Sequence, residues 1–150
     1  MQYKTTKKGR YKGYKSKFWD IFSDFIRLRD FLKYGTCITC GKKFATWNDG
    51  SQAGHFLAAG NCGFSLLFDE MNINSECSYD NAFNKNHQIT MRENMVTRYG
   101  EKYVTELEER YKLSHFGGQT MKEWNKREYE MKTAEYKEKV LEMVTQLNSI

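Results

Sequence analysis

Asn72-Ile-Asn-Ser-Glu-Cys77-Ser-Tyr-Asp80-Asn81 is the stretch on which the fold turns. Its Cys77 and Asp80 repeat, with an aspartate in the last place, the i, i+3 spacing of Cys37-Ile-Thr-Cys40. Two side chains three residues apart on a tight knuckle present the bite that a tetrahedral Zn²⁺ accepts, and carboxylate oxygen is an admissible ligand. Cys37, Cys40, Cys77 and Asp80 are therefore expected to form a Cys₃Asp structural zinc site that joins two segments of a small domain. Cys62 and His87 compete with Asp80 for the fourth position, although Cys62 has no partner at knuckle spacing. The plain alternative is that the thiols are simply buried.

Outward from this stretch, Leu66 to Phe68 reads as a short apolar strand and Asn72-Ile73 as a turn. The segment after Cys77 becomes helical by about Asn81, so the sequence predicts a β-hairpin followed by a helix. Residues 48–65, with four Gly and three Asn or Asp, read as loop and contain Ala53-Gly54-His55-Phe56. Upstream, the knuckle leads into a strand-like Lys43-Phe-Ala-Thr-Trp47 run. Phe18, Phe22, Phe25, Leu28 and Leu32 recur at helical spacing before the stop at Gly35. Downstream, helices are expected over 91–99, stopped by Gly100, over 104–113, and from Thr120, where Thr120-Met-Lys-Glu123 fits a capping box. This last helix packs on the core, dimerises, or does both.

The expected organisation is a basic flexible arm over 1–17 and a single domain over 18–150. That domain divides into an N-terminal helix at 18–34, a zinc-bearing core at 35–90 and a helical region at 91–150. The fold class is α+β. No apolar run approaches the roughly 18 residues of a membrane span, so no membrane partner is expected. The N-terminus lacks an apolar stretch with a cleavage site, which points to a reducing cytoplasm in which cysteines are metal ligands or buried rather than disulfide-bonded.

The formal net charge of +5 is uneven. Lys4, Lys7, Lys8, Arg10, Lys12, Lys15 and Lys17 stand in residues 1–17 without an acid, whereas the remainder has 17 basic against 19 acidic residues. Interleaved Tyr3, Tyr11 and Tyr14 offer rings for stacking, so the arm is a candidate nucleic-acid contact. A solvated tail is the alternative.

Between the halves of the zinc frame lie Gly54-His55 and Asn72, and directly after it Asn81. An imidazole can take a proton from water while a divalent cation stabilises charge on a scissile phosphate. Cys37-x-x-Cys40, Gly54-His55, Asn72, Cys77 and Asn81 resemble the HNH (ββα-metal) nuclease motif in its His-Asn-Asn form. More narrowly, Gln52-Ala-Gly-His-Phe56, Leu67-Phe-Asp-Glu-Met-Asn72, Cys77-x-x-x-Asn81 and Arg98-Tyr-Gly100 resemble the phage NinG/Rap family, over about residues 34–112.

The resemblance implies a zinc-stapled ββα-metal core with flanking helices and a long C-terminal helix. It implies a metal-dependent DNA endonuclease of phage recombination, cytoplasmic in a bacterial host, acting on branched DNA such as a Holliday junction, with a homodimer as a candidate assembly. In it His55 is the general base, Asn72 its loop-fixing partner and Asn81 a ligand of a catalytic Mg²⁺ or Mn²⁺. Two departures stand out. Asp80 replaces a usual Cys, and Gly54 replaces the aspartate that many HNH enzymes use as a cation ligand. His87, then Asn86 or Asp69, is the candidate for the missing ligand. His115 reads as structural. Competing functions are an HNH homing or packaging-type nicking enzyme and a non-catalytic zinc-binding DNA module.

Overall fold

The computed structural model describes residues 11–116 and 121–150. In it α1 spans Gly13–Lys33, β1 Ser51–His55, α2 Phe64–Leu67, β2 Ile73–Cys77, α3 Ser78–Ala82, α4 His87–Tyr99, α5 Glu101–Phe116 and α6 Lys126–Asn148. The fold is α+β: the described residues form six helices, the last of them long, and one two-stranded sheet.

Helix α1 forms where the apolar spacing predicts it, but it begins at Gly13, so Lys15 and Lys17 lie on the helix rather than in a free arm. Lys4, Lys7, Lys8 and Arg10 fall outside the described residues. Phe18, Phe22, Phe25, Ile26 and Leu28 are buried, and much of this face packs against α6 through Tyr129 and Tyr136. Phe22 meets Tyr136 edge to face at 5.0 Å between centroids, and Phe18 meets Phe68 at 4.9 Å. Gly35, at φ 68°, ends the helix; its N–H donates to Asp30 O. Asp30 is a buried acid on an otherwise apolar face because it reaches the sheet. Its Oδ2 accepts from Ser75 N at 2.7 Å and its Oδ1 from Arg29 Nε, while the Arg29 guanidinium also donates to Glu70 O and Ile73 O.

Strands β1 and β2 are antiparallel, from Ser51 opposite Cys77 to His55 opposite Ile73. With α3 directly following, they give an order of two strands and then a helix, but the strands lie elsewhere than expected: β1 arises inside the stretch read as loop, and β2 begins at Ile73, read as part of a turn. The apolar run at Leu66 to Phe68, read as a strand, instead falls within and just after α2, whose Leu66 and Leu67 N–H groups both return to Gly63 O. A short apolar run carries no period that separates strand from helix. The Lys43 to Trp47 run likewise forms no strand; it contributes one bridge, Thr36 to Lys43, which closes the cysteine knuckle.

Helices α4 and α5 meet at Gly100, as the sequence predicts, and bury Met91, Met95, Val104 and Leu107. Both run longer than their apolar periodicity. The capping box lies at Asn125 and Glu128 rather than at Glu123, which precedes the helix; Thr120 falls outside the described residues. Helix α6 is a packing helix here, its outer face carrying pairs such as Lys139 with Glu135. Among the described residues no helix is long and apolar enough to cross a membrane. Phe22→Ala should lower stability by about 3–5 kcal/mol, since it opens a cavity where α1, α6 and Phe68 meet; urea denaturation followed by circular dichroism measures it.

Candidate metal centre

Cys37 and Cys40 come from the knuckle, Cys77 ends β2 and Asp80 lies one turn into α3. Their ligand atoms all lie within 4.8 Å of one another. Cys40 Sγ is 3.8 Å from Cys77 Sγ, and Asp80 Oδ2 is 3.1 Å from Cys77 Sγ and 3.4 Å from Cys37 Sγ. Bond lengths of about 2.0–2.3 Å around a tetrahedral ion put ligand atoms roughly 3.5–3.8 Å apart, so the cluster could hold a metal such as zinc with little movement. Backbone N–H groups of Thr39 and Cys77 point at Cys37 Sγ, as they would toward a thiolate.

Burial pushes the thiols of Cys37, Cys40 and Cys77 up. Burial alone would also raise Asp80, but hydrogen bonds from Cys40, Asn84, Cys77 and Cys37 lower it to about 2. Cys62 is not part of it: buried in the main core, its thiol faces Gly63 O. His87 is not part of it either.

His55 is the last residue of β1. Its ring is half-buried, stacks on Trp19 of α1 at 5.4 Å and 23°, and sets Nε2 2.8 Å from Leu67 O. A carbonyl only accepts, so Nε2 carries a proton and donates it to Leu67 O. Asn72, fully buried, organises the same loop. Its Oδ1 accepts from Leu57 N at 2.8 Å and its Nδ2 donates to Leu57 O and Leu66 O, while its own carbonyl accepts from Phe56 N. It thereby holds the carbonyl next to the one that holds His55. The two side chains thus bond to adjacent carbonyls, those of Leu67 and Leu66.

On the other face of β1, Gln52 and Gly54 look toward α3. Asn81 Nδ2 donates to Gln52 Oε1 at 2.7 Å, which turns its Oδ1 toward Gly54. Alternate strand residues point to opposite faces, so His55 and Asn81 flank the end of β1 from two sides. His87 does not stand open beside Asn81; its Nδ1 is 2.8 Å from Glu76 Oε2. Asp69 is engaged elsewhere, by Met71 N and Arg110, and the Asn86 side chain is exposed. Sequence reasoning missed Glu76, Gln52 and Trp19. Glu76 carried a signal, an acid directly before a cysteine of the metal-capable cluster, but one acid in a mixed stretch does not announce burial.

The class defined so far is an α+β chain whose short sheet and following helix are stapled by a metal-capable cysteine and aspartate cluster. A family profile described as Bacteriophage Lambda NinG protein matches residues 2–144, so the chain belongs to the NinG family. No curated protein and no solved structure matches it.

Binding of Zn²⁺ to the metal-free protein should release protons, up to about three per ion, because the raised thiols must ionise. Calorimetry in buffers of different ionisation enthalpy measures this. Affinity should weaken as the pH falls from about 8 to about 6, and Cys77→Ser should abolish tight binding.

Proposed function

We propose that the chain is a metal-dependent endodeoxyribonuclease of the HNH type, acting in phage recombination on branched DNA. The observation that carries this reading is the His55 ring, held at Nε2 by Leu67 O while Asn72 fixes the adjoining Leu66 carbonyl. That arrangement restrains the ring at a strand end. His55 then accepts a proton from the attacking water, and the stack on Trp19 limits its rotation. A bound Mg²⁺ or Mn²⁺ would supply charge stabilisation to the phosphate. Asn81, carried by α3 and turned by Gln52, is the side chain nearest to that role by the resemblance.

Two features support contact with nucleic acid. Tyr79 and Phe83 are 67% and 73% exposed on and just after α3, with ring centroids 6.1 Å apart, and offer stacking surfaces next to Asn81. The basic residues at the N-terminus supply phosphate contacts without sequence preference. Symmetric cleavage of a four-way junction needs two centres, which a homodimer would provide.

His55→Ala should abolish Mg²⁺-dependent cleavage of labelled four-way DNA while leaving gel-shift affinity within about threefold of the parent. Equal cleavage by the variant rejects the role of His55. Preference for linear duplex would favour a homing or packaging-type enzyme, and binding without nicking a non-catalytic module. Replacing Lys4, Lys7, Lys8 and Arg10 by Gln should lessen the slope of log affinity against log salt by up to about 3.6, read from binding at several salt concentrations.

A further inference from the structure

Strand β2 buries an acid that its packing does not require. Glu76 is 0% exposed; its Oε2 accepts from Thr39 Oγ1 and faces His87 Nδ1, whereas Oε1 has no hydrogen-bond partner. A carboxylate oxygen taken out of water without a donor is costly, and such an atom in a folded protein calls for an unseen partner, an ion among them. The direction in which Oε1 points narrows the choice. A Cβ built on Gly54 would lie 2.6 Å from Glu76 Oε1 and 3.1 Å from Asn81 Oδ1. Residue 54 is therefore a glycine because the carboxylate reaching over from β2 fills the room its side chain would need. Two oxygens, one from a carboxylate and one from an amide, converge beside the end of β1.

We propose that Glu76 Oε1 and Asn81 Oδ1 are the protein ligands of a hard divalent cation, Mg²⁺ or Mn²⁺, with the remaining positions left to water and phosphate. Oxygen donors in small number fit these ions and not a second thiolate-bound zinc. Thr39 and His87 are positioning residues: by occupying Oε2 they turn Oε1 toward the cation. Thr39 sits between Cys37 and Cys40, so the cysteine cluster also braces this second site. The proposal rests on the nuclease reading and deepens it, since it supplies from β2 the ligand that Gly54 cannot.

The test uses full-length, zinc-loaded protein titrated with Mn²⁺, with free Mn²⁺ followed by electron paramagnetic resonance. The wild type should bind one Mn²⁺ per chain beyond its zinc. Glu76→Gln should weaken that binding at least about tenfold with zinc content unchanged. Gly54→Ala should act in the same direction, because its methyl group displaces Oε1. Should the buried Glu76→Gln variant fail to fold, as judged by circular dichroism, the half-exposed Asn81→Ala carries the test with the same expected loss. Wild-type affinity in the folded variants, or no Mn²⁺ binding by the wild type, overturns the proposal. DNA cleavage measured alongside separates the two claims. Glu76-dependent Mn²⁺ binding without any cleavage sinks the nuclease and keeps the site; cleavage equal in wild type and Glu76→Gln sinks the site and keeps the nuclease.

Discussion

The convergence of Cys37 and Cys40 with Cys77 and Asp80 is the constraint on which the rest of this molecule hangs. It fixes the end of β2 and the start of α3 to a knuckle far away in sequence. The knuckle then covers the edge of β2 that β1 leaves open: Ile38 N donates to Ser75 O, and Cys77 N points at Cys37 Sγ. Helix α4 clamps the same knuckle from outside, through Asn94 to the Ile38 and Thr39 carbonyls. A two-stranded sheet is marginal in water by itself; here the knuckle covers the outer edge of β2, and α1 and α3 pack against the strands.

Strand β2 shows what this enclosure allows. All five of its residues are buried, yet Asn74, Ser75 and Glu76 are polar. Asp30 reaches Ser75 N, Tyr99 donates to Asn74, and Thr39 donates to Glu76. Neighbouring elements meet most of the strand's hydrogen-bonding demands one by one, and Ser75 Oγ and Glu76 Oε1 are the atoms they leave without a partner. Adjacent residues also divide the labour: Cys77 and Asp80 turn to the cysteine cluster, while Glu76 and Asn81 turn to the Gly54 side. Loss of the cluster would therefore disturb both sides.

Much of this was legible in the residues themselves. The paired i, i+3 spacings identified the four cluster ligands, and the apolar period of residues 18–32 identified α1, because both patterns arise from local geometry. The two strands were not legible: β1 lies inside the Gly-rich stretch that reads as loop, and β2 begins at Ile73, which reads as part of a turn. Leu66 to Phe68 was misread because three residues contain too few repeats to separate a period of two from one of 3.6. The start of α6 was misread because Thr120 with Glu123 matches a capping box as well as Asn125 with Glu128 does.

What the sequence determined alone was the chemistry within reach of a few residues: which side chains can share an ion, which face of α1 is apolar, where Gly35 and Gly100 stop helices. The tertiary structure decided what each polar group meets. Whether His87 stands open or faces a carboxylate, whether Asp80 or Cys62 completes the cluster, and why residue 54 has no side chain depend on segments brought together from across the chain. Those contacts are set by packing between elements, and no local pattern of residue types encodes them.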